Sequence, residues 1–449
     1  SSMKKKITKS MIFMLTICLI FSYITPLKAN ATTFKTNVQT SCDAIELINL
    51  DTDTVVYKKN ENKRRAPAST TKIMTFIIVS EQIKDLDNTK ITVNKEVVDR
   101  LLGTGSSLSG IKEGDILTAF QLLNCMMIPS GNDAAMVLAD YVGKGDISKF
   151  VDLMNKKAKE LGCTNTHFEN PHGLHDPNHY TTAHDLYKIT KYAMGLPHFT
   201  EITSQTRYTY KPSGGPNAEN NRTLCTTNLL IDKNALGGKY YYIYARGIKT
   251  GHHDEAGYCL VSTATADGYS YMCVALGGPE DSKRAEMVDS KNLYKWALTN
   301  LELKNVLRKD GPVGEANLQY AWNKDKLLLV AEKDYAAILP KNVSAQSVII
   351  EKNIPEKIEA PIKKGQKVGT ATLSYANQKI ATVNLVASES VEHSELVHST
   401  ETIKSIFSSG WFIAIAIIII ILLIIYIILA LIYNRKKRNL KRVKKYRKM

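Results

Sequence analysis

The sequence contains no Cys-x-x-Cys pair and no His-Glu-x-x-His run, which removes the commonest short signatures of a zinc site. Its seven cysteines include Cys18 near the N-terminus. The other six, Cys42, Cys125, Cys163, Cys225, Cys259 and Cys273, have no paired spacing, so no disulfide framework is indicated. His252-His253 and the group His172, His175, His179 and His184 show no recognised ligand register. No metal and no cofactor is expected. Internal repeats are absent as well.

Acidic residues are in deficit, with 43 Asp and Glu against 59 Lys and Arg and a net charge of +16. Such an excess points to nucleic acid only where it clusters on a folded surface. Here it sits at the two ends. Lys4, Lys5, Lys6, Lys9 and Lys28, with no acid among them, and ten Lys and Arg between Arg435 and Lys448 carry nearly all of it. The span from Thr32 to Gly410 is left close to neutral, and nucleic acid is excluded as a partner.

The ends have their own explanation. A basic start, the apolar run Met11 to Ile24 and the small-residue site Ala29-Asn30-Ala31 read as an export signal over residues 1–31. Cys18 follows Ile17, which does not fit lipoprotein processing. Residues 411–433 are almost wholly Ile, Leu and Ala without a charge, long enough to cross a hydrocarbon core about 30 Å thick as a helix. The basic residues of the tail, 434–449, then place it in the cytoplasm and everything between Thr32 and Gly410 outside. Anionic-surface attraction also accounts for that tail. The expectation is a single-pass protein of the cell membrane.

Between these ends the hydrophobic pattern changes twice. Ala44 to Asn49 and Thr54 to Tyr57 are β-type runs around Asp51-Thr52-Asp53, a hairpin. From Ser69 to about Ile83 the chain is apolar nearly all round, the mark of a buried helix, and helical stretches continue to Met194. Near Arg246 strands return, with Gly257 to Ala264 and Tyr269 to Leu276 flanking the hairpin signal Asp267-Gly268, then a closing helix from about Arg284 to Thr299. One antiparallel sheet built from the two terminal segments, with a helical block beside it, is an α/β arrangement spanning 32–300. Residues 301–387 hold short alternating runs broken by Gly and Pro, a small β-rich domain. Residues 388–410 read as a stalk or surface helix.

The chemistry begins at Ser69-Thr70-Thr71-Lys72, just after Pro67, where a helix start puts the serine and the lysine on one face. A serine hydroxyl needs a neighbour to take its proton, and a lysine can do so only when burial or a second cation lowers its pKa. Ser69 is the candidate nucleophile and Lys72 the candidate base. A shift of roughly 3 units amounts to about 4 kcal/mol, within reach of an apolar pocket and a second ammonium. Alone, Ser-x-x-Lys should occur by chance about once or twice in a chain of this size. Two further motifs change that: Ser130-Gly131-Asn132 on a loop between apolar and helical runs, and Lys249-Thr250-Gly251 on a strand, where Gly permits close backbone approach. Lys249 is the candidate second ammonium.

The three motifs in this order resemble those of β-lactamases and penicillin-binding proteins. The wider runs Ala66-Pro67-Ala68-Ser69-Thr70-Thr71-Lys72, Pro129-Ser130-Gly131-Asn132-Asp133-Ala134-Ala135 and Gly247-Ile248-Lys249-Thr250-Gly251-His252 resemble the low-molecular-mass D-alanyl-D-alanine carboxypeptidases. Asn170-Pro171-His172-Gly173-Leu174 and His179 to Leu186 are similar to that family too. The resemblance implies a β-lactamase/transpeptidase-like fold and a peptidoglycan pentapeptide as substrate, with covalent inhibition by β-lactam antibiotics. It implies that Ser69 attacks, Lys72 takes its proton and Ser130 relays one to the departing D-alanine. Asn132 would hold the substrate amide, Lys249 would orient Ser130 and favour the anionic ligand, and Thr250 would bind the terminal carboxylate with help from Arg284. The backbone N–H groups of Ser69 and His252, beside Gly251, would form the oxyanion hole; the His252 side chain is not required.

Two departures from the family pattern stand out. The stretch Leu230 to Arg246 is longer than expected and carries Tyr240, Tyr241, Tyr242 and Tyr244, which are expected to pack on the sheet or on a neighbouring subunit. A full hydrophobic span replaces the amphipathic C-terminal anchor of many relatives, making attachment effectively permanent. The rival readings are a β-lactamase-like hydrolase, which needs a second base for deacylation, and a silent wall-binding protein. Glu169-Asn170-Pro171 lacks the register of that base, and the intact motifs argue against silence.

Overall fold

The computed structural model describes residues 34–446, with side chains as far as Leu440. The export-signal segment lies outside the described residues. The chain divides into two compact units, one comprising the chain up to Lys304 together with Ile338–Val343, the other Asn305–Ala337 and the chain from Ser344.

In the first unit, β1 (Ala44–Asn49) and β2 (Thr54–Lys59) form the opening hairpin. Asp53 turns it at φ +56°, a conformation Asp tolerates better than most residues. The helical block follows as α1 (Lys72–Gln82), α2 (Ala119–Met127), α3 (Asn132–Val142), α4 (Ile147–Glu160) and α5 (Ala183–Met194). Then come β3 (Ala245–His253), β4 (Gly257–Ala266), β5 (Tyr269–Gly278) and the closing helix α6 (Ala285–Asn300). The sheet runs β2-β1-β5-β4-β3, antiparallel throughout. Terminal segments that are far apart in the chain therefore share one sheet, as the change of pattern along the sequence implies. Asp267 and Gly268, both at positive φ, make the tight β4–β5 turn.

Helix α1 is the pivot of the core. Every residue from Lys72 to Val79 is buried, because α2, α3, α4 and α5 surround it. A helix apolar on all sides has nowhere else to go. Ser69, expected in the first turn of this helix, lies instead in a 3₁₀ turn over Ala68–Thr71 that precedes it. The tighter turn follows from Ala68, held at φ +47°, which cannot continue a helix backwards.

The tyrosine-bearing stretch, expected to pack on the sheet or on a neighbouring subunit, instead meets the closing helix and the turn before it. Tyr240 and Tyr242 are buried, and Tyr242 stacks on Tyr294 of α6 with ring centroids 6.1 Å apart and an interplanar angle of 5°. Tyr244 stays exposed.

The second unit contains β6 (Pro312–Gln319), β7 (Lys326–Ala331), β8 (Ile349–Asn353), β9 (Lys357–Glu359), β10 (Lys367–Tyr375) and β11 (Gln378–Ala387), in the order β8-β10-β11-β7-β6-β9. Leu327, Leu329, Ala371, Leu373, Val383 and Leu385 alternate inward to form its core. Helix α7 (Glu395–Ser408) follows, and α8 (Gly410–Tyr446) is long and apolar enough from Gly410 to Leu440 to cross a membrane.

Candidate active site

Separate stretches of the first unit converge on one cleft of about 600 Å³, lined among others by Ser69, Ser130, Asn132, Gly173, Thr227, Thr250, Gly251, His252 and Arg284. Lys72 lies at its base, fully buried, with Nζ 2.8 Å from Ser69 Oγ and 3.3 Å from Ser130 Oγ. Nζ also lies 2.5 Å from Asn132 Oδ1 and 3.3 Å from the His172 carbonyl. A neutral amine has two N–H donors and one lone pair. Asn132 Oδ1 and the His172 carbonyl can take the two donors, which leaves the lone pair for the Ser69 hydroxyl. These contacts accommodate the neutral form of Lys72, the one that can act as a base.

Electrostatics favour the same form. Burial pushes the Lys72 pKa well below the ordinary lysine value, the charge of Lys249 adds to the push, and Asp133 opposes it. Lys249, also buried, sits 2.8 Å from Ser130 Oγ and 2.9 Å from its neighbour Thr250's carbonyl, and burial lowers it to about 7. Ser130 thus stands between two amines, placed to pass a proton from one side of the cleft to the other.

The backbone around these groups is strained where it matters. Ala68 and Ser130 both adopt positive φ, +47° and +65°, which costs on the order of 1–3 kcal/mol each and persists only where packing enforces it. Two glycines provide that packing at Ala68. A Cβ on Gly173, itself at φ +98°, would fall 1.8 Å from the Ala68 carbonyl oxygen. One on Gly251 would fall 2.9 Å from Ser69 N and 3.0 Å from the Pro67 carbonyl oxygen. Strand β3 and the loop at Gly173 therefore press directly on the backbone of the Ser69 turn, which only residues without a Cβ allow.

Residues not singled out from the sequence complete the site. Buried Asp133 accepts from Ser109 N, Ser109 Oγ and Gly110 N at 2.9–3.1 Å, and Asn132 N donates to the Ser107 carbonyl. These bonds tie the loop carrying Ser106 and Ser107, part of the cleft wall, to the Ser130 motif. Thr227 Oγ1 lies 2.5 Å from Thr250 Oγ1, putting two hydroxyls on one wall. Neither residue type stands out in a sequence without its tertiary neighbour.

The remaining sequence candidates are placed as follows. Arg284 lines the cleft with its guanidinium 4.6 Å from the Tyr258 ring centroid, and Nε donates to buried Glu286 at 2.7 Å. The His252 ring stacks on Tyr258 with centroids 4.2 Å apart, and its Nε2 is 2.6 Å from Glu280 Oε1. His179 accepts the Glu169 N–H at Nδ1 and so donates from Nε2 to Thr71 Oγ1, at 2.9 and 2.7 Å. Burial holds its pKa down at about 3. His172, which is likewise held at about 3 by burial and the nearby Lys72, contributes to the site through its carbonyl rather than its ring.

Comparison with known proteins places this geometry. The family described as D-alanyl-D-alanine carboxypeptidase matches residues 30–280, and the penicillin-binding protein 5 C-terminal domain matches residues 301–393. The D-alanyl-D-alanine carboxypeptidase DacF of Bacillus subtilis is 31% identical over 349 residues, covering 77% of this chain and 85% of its own. Among solved structures, penicillin-binding protein 5 from Haemophilus influenzae aligns with a TM-score of 0.66 at 28% identity, over 80% of this chain and all of that one. The Streptomyces K15 DD-transpeptidase aligns with a TM-score of 0.53 at 31% identity, over 59% of this chain and all of its own.

Proposed function

This chain belongs to the D-alanyl-D-alanine carboxypeptidase family, and from that premise we propose how its own residues carry the reaction. The enzyme is a serine-type D-alanyl-D-alanine carboxypeptidase that removes the terminal D-alanine of peptidoglycan pentapeptides through an acyl-enzyme and is blocked covalently by penicillins. Ser69 Oγ attacks the carbonyl between the two D-alanines while neutral Lys72 takes its proton. The backbone N–H groups of Ser69 and His252 receive the oxyanion. Ser130, held by Lys249, passes its proton to the departing amine and takes one from protonated Lys72 in return, the C–N bond breaks, D-alanine leaves, and Lys72 is neutral again. Water then attacks the ester while Lys72 takes its proton, the acyl C–O bond to Ser69 breaks, and Lys72 returns the proton to Ser69 Oγ, which restores the serine. Asn132 holds the substrate amide, and Thr250, with Arg284 beside it, takes the terminal carboxylate.

The observation that carries this reading is the pair of buried lysines meeting at Ser130, one of them 2.8 Å from Ser69 Oγ. Its test is release of D-alanine from a pentapeptide ending in D-Ala-D-Ala, followed by mass spectrometry for the wild type and Ser69→Ala. The variant should release none above background; equal release by both rejects the mechanism.

Lys249 sets a pH dependence. A lysine lowered to about 7 is charged below that pH and neutral above it, so attraction for the ligand carboxylate is lost as pH rises through 7 in the free enzyme. The second-order rate constant for acylation, which reports the free enzyme, should fall on that alkaline side. Lys249→Arg keeps its charge across the range. It should lower the maximum and abolish the alkaline limb; an unchanged limb would detach it from Lys249.

For placement we read residues 32–300 as catalytic, 301–387 as a spacer domain, 388–410 as a stalk and 411–433 as a single membrane span. The basic tail is cytoplasmic and the catalytic domain outside. The length and composition of α8 support the anchor, and an outer location is where peptidoglycan peptides are found.

A further inference from the structure

One rim of the cleft carries a second set of donors that the acyl-transfer chemistry does not use. His175 follows Leu174, His253 ends β3, and Glu255 lies in the turn to β4; Leu174, His253 and Glu255 all line the same cleft as Ser69. One potential ligand atom from each of His175, His253 and Glu255 lies within 4.8 Å of the other two. The two imidazoles meet edge to face, with centroids 5.5 Å apart at 63°.

His253 itself is incompletely satisfied. Its Nδ1 lies 3.1 Å from the Ala256 N–H, which requires a lone pair, and 3.0 Å from Glu255 Oε2, which favours a proton. Its Nε2 is buried without a hydrogen-bond partner, an arrangement that usually signals a missing ligand or water. A cation among these groups offsets the Glu255 charge.

We propose that His175, His253 and Glu255 bind a divalent transition metal of the zinc class at the mouth of the substrate cleft. Two imidazoles and one carboxylate suit zinc and do not suit calcium or magnesium, which take oxygen ligands. Three protein ligands leave a fourth position for water or for an oxygen atom presented from the cleft. The sequence shows no register for this set because its members come from two separate loops that the fold brings together.

A neighbouring set, His252, Asp254 and Glu280, has the same spacing. There the His252 ring is stacked on Tyr258 and its Nε2 is paired with Glu280. All three residues are exposed. There His252 and Glu280 already pair with each other, and that set serves as the control.

The test is equilibrium dialysis of the full-length, untagged, metal-stripped chain in detergent micelles against zinc chloride. Wild type should bind one zinc at micromolar free metal, with His175→Ala and Glu255→Gln weaker by at least about tenfold and Glu280→Gln unchanged. Exposed His175 lies outside the acyl-transfer groups, so His175→Ala should still label with penicillin in the absence of metal, which verifies its fold. Thermal unfolding does the same for Glu255→Gln. The proposal is overturned if wild type stays empty up to about 1 mM zinc. It is equally overturned if folded His175→Ala and Glu255→Gln bind as wild type does, or if affinity is lost with Glu280→Gln alone.

Discussion

Lys72→Arg is expected to lose acylation by labelled penicillin by about 10³- to 10⁴-fold, although it keeps a cation at this position. A guanidinium cannot give up its proton in a protein, and the role assigned to Lys72 is to be neutral when substrate arrives. The geometry isolates this requirement. Nζ sits among Ser69 Oγ, Ser130 Oγ, Asn132 Oδ1 and the His172 carbonyl, all within 3.3 Å, so two acceptors already hold the N–H groups of the free amine.

The pH dependence has a definite sign. Burial and the Lys249 charge depress Lys72, so, below the alkaline limb set by Lys249, wild-type acylation should hold and fall only as acid finally protonates the amine. The variant should be flat and low across the same range. Retained acylation in Lys72→Arg would mean that some other group takes the Ser69 proton. The same depression has a thermodynamic side. An unfolded chain binds protons at both lysines that the folded one gives up at neutral pH, so their burial destabilises the fold there, and the deficit shrinks only as pH rises toward the ordinary lysine value. The site is held together by its surroundings despite this cost.

Gly173→Ala is the second large effect. Its Cβ would stand 1.8 Å from the carbonyl oxygen of Ala68, at a φ of +98° that L side chains rarely adopt. Neither atom can yield cheaply, because Ala68 is itself held at positive φ beside the nucleophile. The turn carrying Ser69 must shift, and a displacement of about 1 Å from attacking geometry is worth roughly 100-fold in rate. We expect acylation to drop by at least that factor, with a loss of stability on the order of 3 kcal/mol. Measuring acylation well below the melting temperature separates the two effects. A variant that acylates normally would show that the contact with Ala68 does not position Ser69.

The contrast between Lys72 and Gly173 shows what was legible in the sequence. Ser69 and Lys72 share a turn, Ser130 and Asn132 a loop, and Lys249 to Gly251 a strand, so local spacing reveals each pair. The hairpins at Asp51–Asp53 and Asp267-Gly268 were readable because their turn residues need positive φ or tolerate it. The inward run from Ile73 to Val79 was readable because a helix apolar on every side must be buried. Contacts made by backbone atoms leave no such trace. The His172 carbonyl on Lys72 and the Ala68 carbonyl against Gly173 depend on how two loops cross, and neither side chain announces it. Thr227 was hidden for a related reason. It follows the short strand Arg222–Cys225, paired with Arg207–Tyr210, four-residue strands too short and too polar to show the apolar alternation that marks a strand. The start of α1 also moved, from Ser69 to Lys72, because the tight turn at Ala68 is imposed by packing from outside the helix.

The most direct test of the account is to map the penicilloyl group on the full-length enzyme by proteolysis and mass spectrometry after a short exposure to penicillin. A single long-lived adduct on the peptide bearing Ser69, present in the wild type and absent in Ser69→Ala, is the predicted result. An adduct on any other residue, or rapid drug turnover with no adduct accumulating, would contradict it.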